Sequence, residues 1–147
     1  MSFCFGGYFA KKSHAVLGGI FLMSVLIIFD QIIKWIVVPS KTIGHMCNYG
    51  IAMGIVLPQQ MFIVMWGLLI LCVVYFWWQH IAKRFLIQIS YILILSGGFS
   101  NIIDRIYYGC VVDYIPFFNI SSFNIADTFI TIGVLIILWQ NFKNSKD

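Results

Sequence analysis

Three apolar runs, Ala15 to Val38, Met61 to Trp78 and Phe85 to Ile103, approach the ~20 residues that a helix needs to cross a bilayer. A fourth begins near Asn124. Its uninterrupted part, Thr128 to Phe142, has only 15 residues, about 22 Å at the helical rise, so spanning requires a start several residues earlier. Asp127 then sits within the outer edge of the membrane. The 147 residues are 61% hydrophobic and 10% charged, against roughly 25% charged in soluble domains, which excludes an ordinary soluble fold. The expected architecture is a mainly α, polytopic membrane protein. Its four transmembrane helices, at about 15–38, 61–78, 85–103 and 124–142, form a single membrane-embedded domain.

Basic residues orient the bundle, because cytoplasmic loops near helix ends are enriched in Lys and Arg. Lys11, Lys12, Lys83, Arg84, Lys143 and Lys146 are assigned inside, and Lys34, Lys41 and Arg105 outside. Both termini are then cytoplasmic. Trp77, Trp78 and Trp139 at the inner ends, with Trp35 and Tyr114 toward the outer ends, suit two aromatic belts. Lys11 and Lys12 before an apolar stretch look like a signal sequence. Asp30 and Lys34 follow directly, however, without a small-x-small cleavage site, so the stretch reads as an uncleaved first helix. No Cys follows an apolar stretch in a lipobox pattern, so the chain is not expected to be a lipoprotein itself. Residues 39–60 mix Gly, Pro and short apolar runs, compatible with a small β element or a re-entrant segment.

Nine basic residues spread over the whole chain make no nucleic-acid patch. The cysteines Cys4, Cys47, Cys72 and Cys110 contain no CxxC pair, and His14, His45 and His80 show no zinc-ligand spacing, so neither a metal nor a cofactor is expected. Cys47 and Cys110 both fall outside the membrane. A disulfide between them is open, and two unpaired thiols are the simpler expectation.

All the acidic residues are aspartates: Asp30, Asp104, Asp113, Asp127 and the C-terminal Asp147. The topology gathers the first four at the outer ends of helices or in the outer loop. Ionisable groups at membrane depth are costly unless paired or facing water, so this gathering is a functional hypothesis. Asn101, Asp104 and Arg105 stand at i, i+3 and i+4 on one helical face, and Asn124 and Asp127 repeat the i, i+3 relation. Asp113 lies 14 residues before Asp127, too far for neighbours on one helix but suited to two carboxylates brought together by the fold. Such a pair cannot both ionise cheaply, so one keeps a proton while the other can activate water.

These residues carry a resemblance. GGFSNIIDRIYYGCVVDYI (Gly97 to Ile115) resembles the signal peptidase II pattern NxxDRxxxGxVxDF, with Tyr114 replacing Phe. FNIAD (Phe123 to Asp127) is similar to that family's FNxAD segment, and FDQIIKWIVV (Phe29 to Val38) to its first-helix DQxxK. CNYGIAMG (Cys47 to Gly54) keeps Asn48, Gly50, Ala52 and Gly54 of NxGAAFG but has Ile51 and Met53 for Ala and Phe. The outer segments 39–60 and 114–123 also look short for the family. These departures touch the flap over the substrate and the peptide selectivity.

The resemblance implies four transmembrane helices with a small periplasmic β cradle and a short surface helix. It implies a catalytic aspartyl dyad on Asp113 and Asp127, with Asn101, Arg105 and Asn124 orienting it or contacting substrate. Asn48 and Gly50 take a cradle role, whereas residue types alone make them a turn. The implied substrate is a prolipoprotein carrying diacylglyceryl on a cysteine, cut on that residue's N-terminal side by a monomer in the bacterial inner membrane, with membrane lipid around it.

Plainer readings compete at several positions. Asp30 and Lys34, at i, i+4, read first as a self-neutralising salt bridge, and Asp104 as structural through nearby backbone or Arg105. Arg105 suits equally a rim charge held by Asp104 or a fork for a substrate carbonyl or phosphate. Gly97 and Gly98 read as close helix packing. Ser96 and Ser100 lack a GxSxG context, which argues against a serine protease. Asp104, Arg105, Gly109 and Asp113 match a fragment of the CDP-alcohol phosphotransferase signature, but Phe117 stands where a further metal-binding aspartate is required. A transporter would need acidic residues at several depths.

Overall fold

The computed structural model describes residues 3–40, 44–50, 59–80, 85–118 and 121–145. They form four helices and four short strands: α1 (Phe3–Val37), β1 (Met46–Asn48), α2 (Gln59–His80), α3 (Phe85–Tyr107), β2 (Val111–Asp113), β3 (Ile115–Phe117), β4 (Ser121–Phe123) and α4 (Ile125–Asn144). Three of the helices contain stretches long and apolar enough to cross a membrane, Ser13–Val37, Phe85–Tyr107 and Ile125–Asn144, and Val64–His80 is a shorter apolar stretch. The chain is a polytopic membrane protein. α1 has 35 residues, about 50 Å at the helical rise, so it begins well before the expected residue 15 and exceeds one hydrocarbon thickness.

α3 packs against each of the other three helices, and its composition explains why. Its buried side includes Ser90, Ser96, Gly97, Gly98 and Ser100, small residues that admit neighbouring backbones. Two of the buried hydroxyls are satisfied within the helix, Ser90 Oγ on Leu86 O at 2.7 Å and Ser96 Oγ on Ile92 O at 2.6 Å. A Cβ at Gly97 would overlap the Ala126 carbonyl oxygen, and one at Gly133 would lie 2.7 Å from the Ser90 carbonyl oxygen. α3 and α4 therefore touch backbone to backbone at two levels. Gly98 is different: its added Cβ would meet Ile70 at an ordinary 3.6 Å, so the close-packing expectation holds at Gly97 only.

Ile70, Trp77, Ile92 and Leu95 form the buried apolar cluster between α2 and α3. Trp77 is thus part of the core, not of the inner aromatic belt. Its ring would lie 2.9 Å from a Cβ at Gly19, so α1 can approach only because that position lacks a side chain. Trp35, Trp78 and Trp139 stay exposed on the outer surface of the bundle.

At the other end of the bundle, β1 pairs antiparallel with β2 in the register Met46↔Asp113, Cys47↔Val112 and Asn48↔Val111. β3 pairs antiparallel with β4, joining Ile115 to Phe123 and Phe117 to Ser121. The turn from α3 into β2 passes through Gly109 at φ +77, a left-handed conformation that glycine adopts without steric cost. Cys47 and Cys110 are disulfide-bonded, with Cα atoms 5.5 Å apart. This corrects the expectation of two unpaired thiols, whose basis was only that sequence carries no distance between them. Ile51 and Met53, like Lys41, Lys83, Arg84 and Lys146, lie outside the described residues. Among the described residues there is no short surface helix.

Candidate active site

The site lies where the strand ends meet the ends of α1 and α3 and the start of α4. Its foundation is a buried ion cluster. Lys34 Nζ lies 2.8 Å from Asp30 Oδ2 and 2.6 Å from Asp104 Oδ2, all three side chains fully buried, and it donates to Asn101 Oδ1 at 3.2 Å. An ammonium has three donors, so each is engaged. The i, i+4 bridge expected between Asp30 and Lys34 is present, and Asp104 joins it. The ion partner of Asp104 is Lys34, while its backbone contact is Val112 N–H at 3.2 Å.

Further donors complete both buried carboxylates. Asp30 accepts Ser100 Oγ at 2.5 Å and the Ala126 N–H at 3.1 Å, so the α4 N-terminus points at it, as a helix dipole favours for an anion. Gln31 Nε2 donates to Asp104 Oδ1 and Ser100 Oγ, both at 2.8 Å. Gln31 and Ser100 are members of this hydrogen-bond network that their residue types did not reveal. Gln31 stood in the DQxxK motif, the available signal, and Ser100 had been considered only as a nucleophile.

Three asparagines stand on this foundation and reach two further carboxylates. Asn124 caps α4 in a capping box: its side chain accepts the Asp127 N–H at 2.9 Å, and Asp127 Oδ2 accepts the Asn124 N–H at 3.3 Å. The same Asn124 amide donates to Asp113 Oδ1 at 2.9 Å and to Asn101 Oδ1 at 3.1 Å. Asn101 Nδ2 donates to Asp127 Oδ1 at 2.8 Å. From the opposite side Asn48 Nδ2 donates to Asp113 Oδ2 at 2.9 Å, while Asn48 Oδ1 accepts the Gly50 N–H in a tight turn. Arg105 is buried, and its Nη2 donates to the Gly50 carbonyl at 2.8 Å. The guanidinium thus braces the β1 segment and, being buried, is not an exposed rim charge.

The two carboxylates differ in environment. Asp113 is 2% exposed. Burial pushes its carboxyl up to about 6, the Asp127 charge adds to the rise, and the Asn48 and Asn124 amides oppose it. Asp127 is half-buried and borders a cavity of about 470 Å³ walled by Phe117, Phe123, Thr128 and Ile132. Tyr114, where the motif has Phe, has a buried hydroxyl, and burial followed by the Asp30 charge pushes it up to about 12, so it stays neutral. Among the described residues no group of three or more His, Cys, Asp or Glu could hold a metal ion.

A model of the family described as Signal peptidase (SPase) II matches residues 22–143, the stretch that contains all four of these carboxylates. The chain belongs to the signal peptidase II family. Lipoprotein signal peptidases of Brucella ovis, Brucella canis and Brucella melitensis are 31% identical to it over 149 residues, covering 89% of this chain and 93% of theirs. Two solved bacterial membrane enzymes, determined by the in meso method at 2.3 Å and 1.9 Å resolution, superpose with TM-scores of 0.76 and 0.74. Both are 28% identical to it, and each match covers 87% of this chain and 89% or 94% of the solved one. Membership makes the chain a peptidase of signal peptides, built on the four-helix membrane architecture described above.

Proposed function

We propose that this chain is an aspartyl endopeptidase that removes signal peptides from diacylglyceryl-modified prolipoproteins, cutting on the N-terminal side of the lipidated cysteine. The observation that carries the mechanism is the Asn124 side chain, which donates to Asp113 and accepts from the backbone of Asp127, tying both carboxylates to one amide. Asp127, at a helix N-terminus, is the ionised member and takes a proton from water. Asp113, dry and with its carboxyl raised, carries the proton. The water oxygen attacks the scissile carbonyl carbon as Asp113 protonates the carbonyl oxygen. The resulting tetrahedral diol collapses with cleavage of the C–N bond, one diol hydroxyl returning its proton to Asp113 as the acid forms, and the leaving amine takes the proton first given to Asp127. Asn101, Asn48 and Asn124 hold the carboxylates, and the Asp30, Lys34 and Asp104 cluster holds Asn101.

The cavity beside Asp127 supports a substrate that stays in the bilayer while its scissile bond reaches the carboxylates. The Cys47–Cys110 bond supports placing the strand end on the oxidising, periplasmic side of the inner membrane, with both termini cytoplasmic. The protein acts as a monomer and as one domain, with the lipid-modified precursor and membrane lipid as its partners.

The test uses purified protein in detergent, mixed with a diacylglyceryl-modified precursor and with its unmodified form, the products then being sized. Cleavage of the modified form alone is expected, unaffected by EDTA. Asp113→Asn and Asp127→Asn should each lower turnover at least ~100-fold, the lower end of what a positioned acid or base contributes, while the protein stays folded. Equal cleavage of both precursors would sink the lipid requirement, and near-normal turnover in either variant would sink the dyad.

A further inference from the structure

Few ties bring the β1 segment to Asp113. The ladder with β2 covers three residues, and a two-stranded ribbon is at best marginal by itself. Further contacts are single ones, among them Arg105 on the Gly50 carbonyl, Ser122 Oγ on Met46 Sδ and Asn48 on Asp113. The covalent tie is the disulfide, which joins positions 63 residues apart in sequence. Its two ends have different surroundings. Cys110 is fully buried at the foot of β2, three residues before Asp113, so this end is fixed with respect to the candidate dyad. Cys47 is exposed and immediately precedes Asn48. Neither cysteine fills a motif position: Cys110 occupies the open place between Gly109 and Val111, and Cys47 stands just ahead of the NxG segment.

We infer that the Cys47–Cys110 disulfide is a positioning element of the active site, clamping β1 so that Asn48 stays on Asp113 and making turnover dependent on its oxidation. The inference rests on the reading of Asp113 as a dyad member. Without the bond, Asn48 must hold its place by a three-residue ladder and single hydrogen bonds, and the Asp113 oxygen it serves loses a partner for part of the time. Asp113 then samples geometries unsuited to proton transfer, which slows the chemical step more than it weakens substrate binding. Reduction by a dithiol such as dithiothreitol delivers two electrons and two protons, cleaves the S–S bond to two thiols, and leaves the reductant as its cyclic disulfide.

The experiment measures kcat and KM for cleavage of a diacylglyceryl-modified precursor by the full chain in detergent. It compares wild type with and without dithiothreitol, the Cys47→Ser, Cys110→Ser pair, Asn48→Ala, and the triple variant. The cysteine pair and Asn48→Ala should each lose roughly twofold to tenfold in kcat, the worth of a hydrogen bond to a neutral group, with KM little changed. The triple variant should be no worse than Asn48→Ala alone, because the disulfide acts through that residue. Cys72→Ser should respond to reductant as wild type does, which assigns the response to the disulfide and not to the free, exposed Cys72. Should the cysteine pair fail to fold, reduction of folded wild type and of folded Asn48→Ala gives the same comparison. Undiminished kcat without the bond, or losses that multiply in the triple variant, would overturn the clamp. Retained cleavage by Asp113→Asn is a separate result, which removes the dyad reading and the clamp with it.

Discussion

At the scale of single residues, what distinguishes Asp113 from Asp127 is water. Asp113 is 2% exposed and accepts from two carboxamides, whereas Asp127 borders a cavity and sits at a helix start. Burial raises the Asp113 carboxyl to about 6. On the mechanism proposed above Asp113 must keep its proton, so kcat/KM should fall as the pH rises through about 6. A pH profile of kcat/KM checks this limb, and its absence would contradict the assignment of the proton to Asp113. The same shift has a consequence for folding. The folded chain holds the Asp113 proton more tightly than the unfolded chain does. The stability it contributes is therefore fully present below the ordinary value of 3.8 and is lost as the pH rises through about 6. Asp113→Asn should flatten the denaturation midpoint over that window. The scarcity of acidic residues in so apolar a chain drew attention to both aspartates, and the motif resemblance, not residue type alone, singled them out as a pair. What residue types could not reveal was that Arg105 is an internal strut on Gly50, since a buried guanidinium and an exposed one are spelled alike.

At the scale of elements, the site depends on how closely α4 approaches α3. A side chain at Gly97 would strike the Ala126 carbonyl and come within 2.7 Å of Ile130 Cγ1. Gly97→Ala should therefore push the start of α4 away, costing about 1–3 kcal/mol as overpacking does, and lower cleavage because Asn124 and Asp127 move with it. Gly98→Ala meets nothing nearer than 3.6 Å and should be tolerated. Thermal denaturation and turnover of the two variants, side by side, decide the point. Lys34→Ala should be the more damaging lesion. It leaves Asp30 and Asp104 buried without their cation, a defect that typically costs 3–5 kcal/mol, and the Asn101 oxygen loses one of its two donors, keeping Asn124. The i, i+4 spacing revealed the Asp30–Lys34 bridge. It could not reveal Asp104 as a third member, which comes from a helix far away in sequence.

At the scale of the whole molecule, the arrangement inverts that of a soluble domain. The buried face of α3 carries three serines, an asparagine and two charged residues, while Phe21, Leu71 and Phe142 face outward at 66–72% exposure. Hydrocarbon is the matching solvent for that surface, which is why four apolar runs sufficed to read the helices. The end with the strands was less legible: segments of three residues carry too little periodicity to be recognised, and the partner of Cys47 is a matter of three-dimensional distance. Reporter fusions at the C-terminus, and labelling of cysteines placed next to Asp113, should put the termini in the cytoplasm and the strands outside. A C-terminus on the periplasmic side would overturn that orientation.

The three asparagines that hold the carboxylates have a consequence for how the molecule meets a changing environment. Carboxamides neither gain nor lose a proton over the range in which proteins stay folded, so Asn48, Asn101 and Asn124 offer the same donors and acceptors in mild acid as in mild alkali. A scaffold of histidines or further carboxylates would reshape itself as acidity changed, and its geometry would drift along with its charge. Here the side chains that hydrogen-bond Asp113 and Asp127 are chemically inert, so a shift in external acidity acts on the carboxylates and leaves the amides that hold them unchanged.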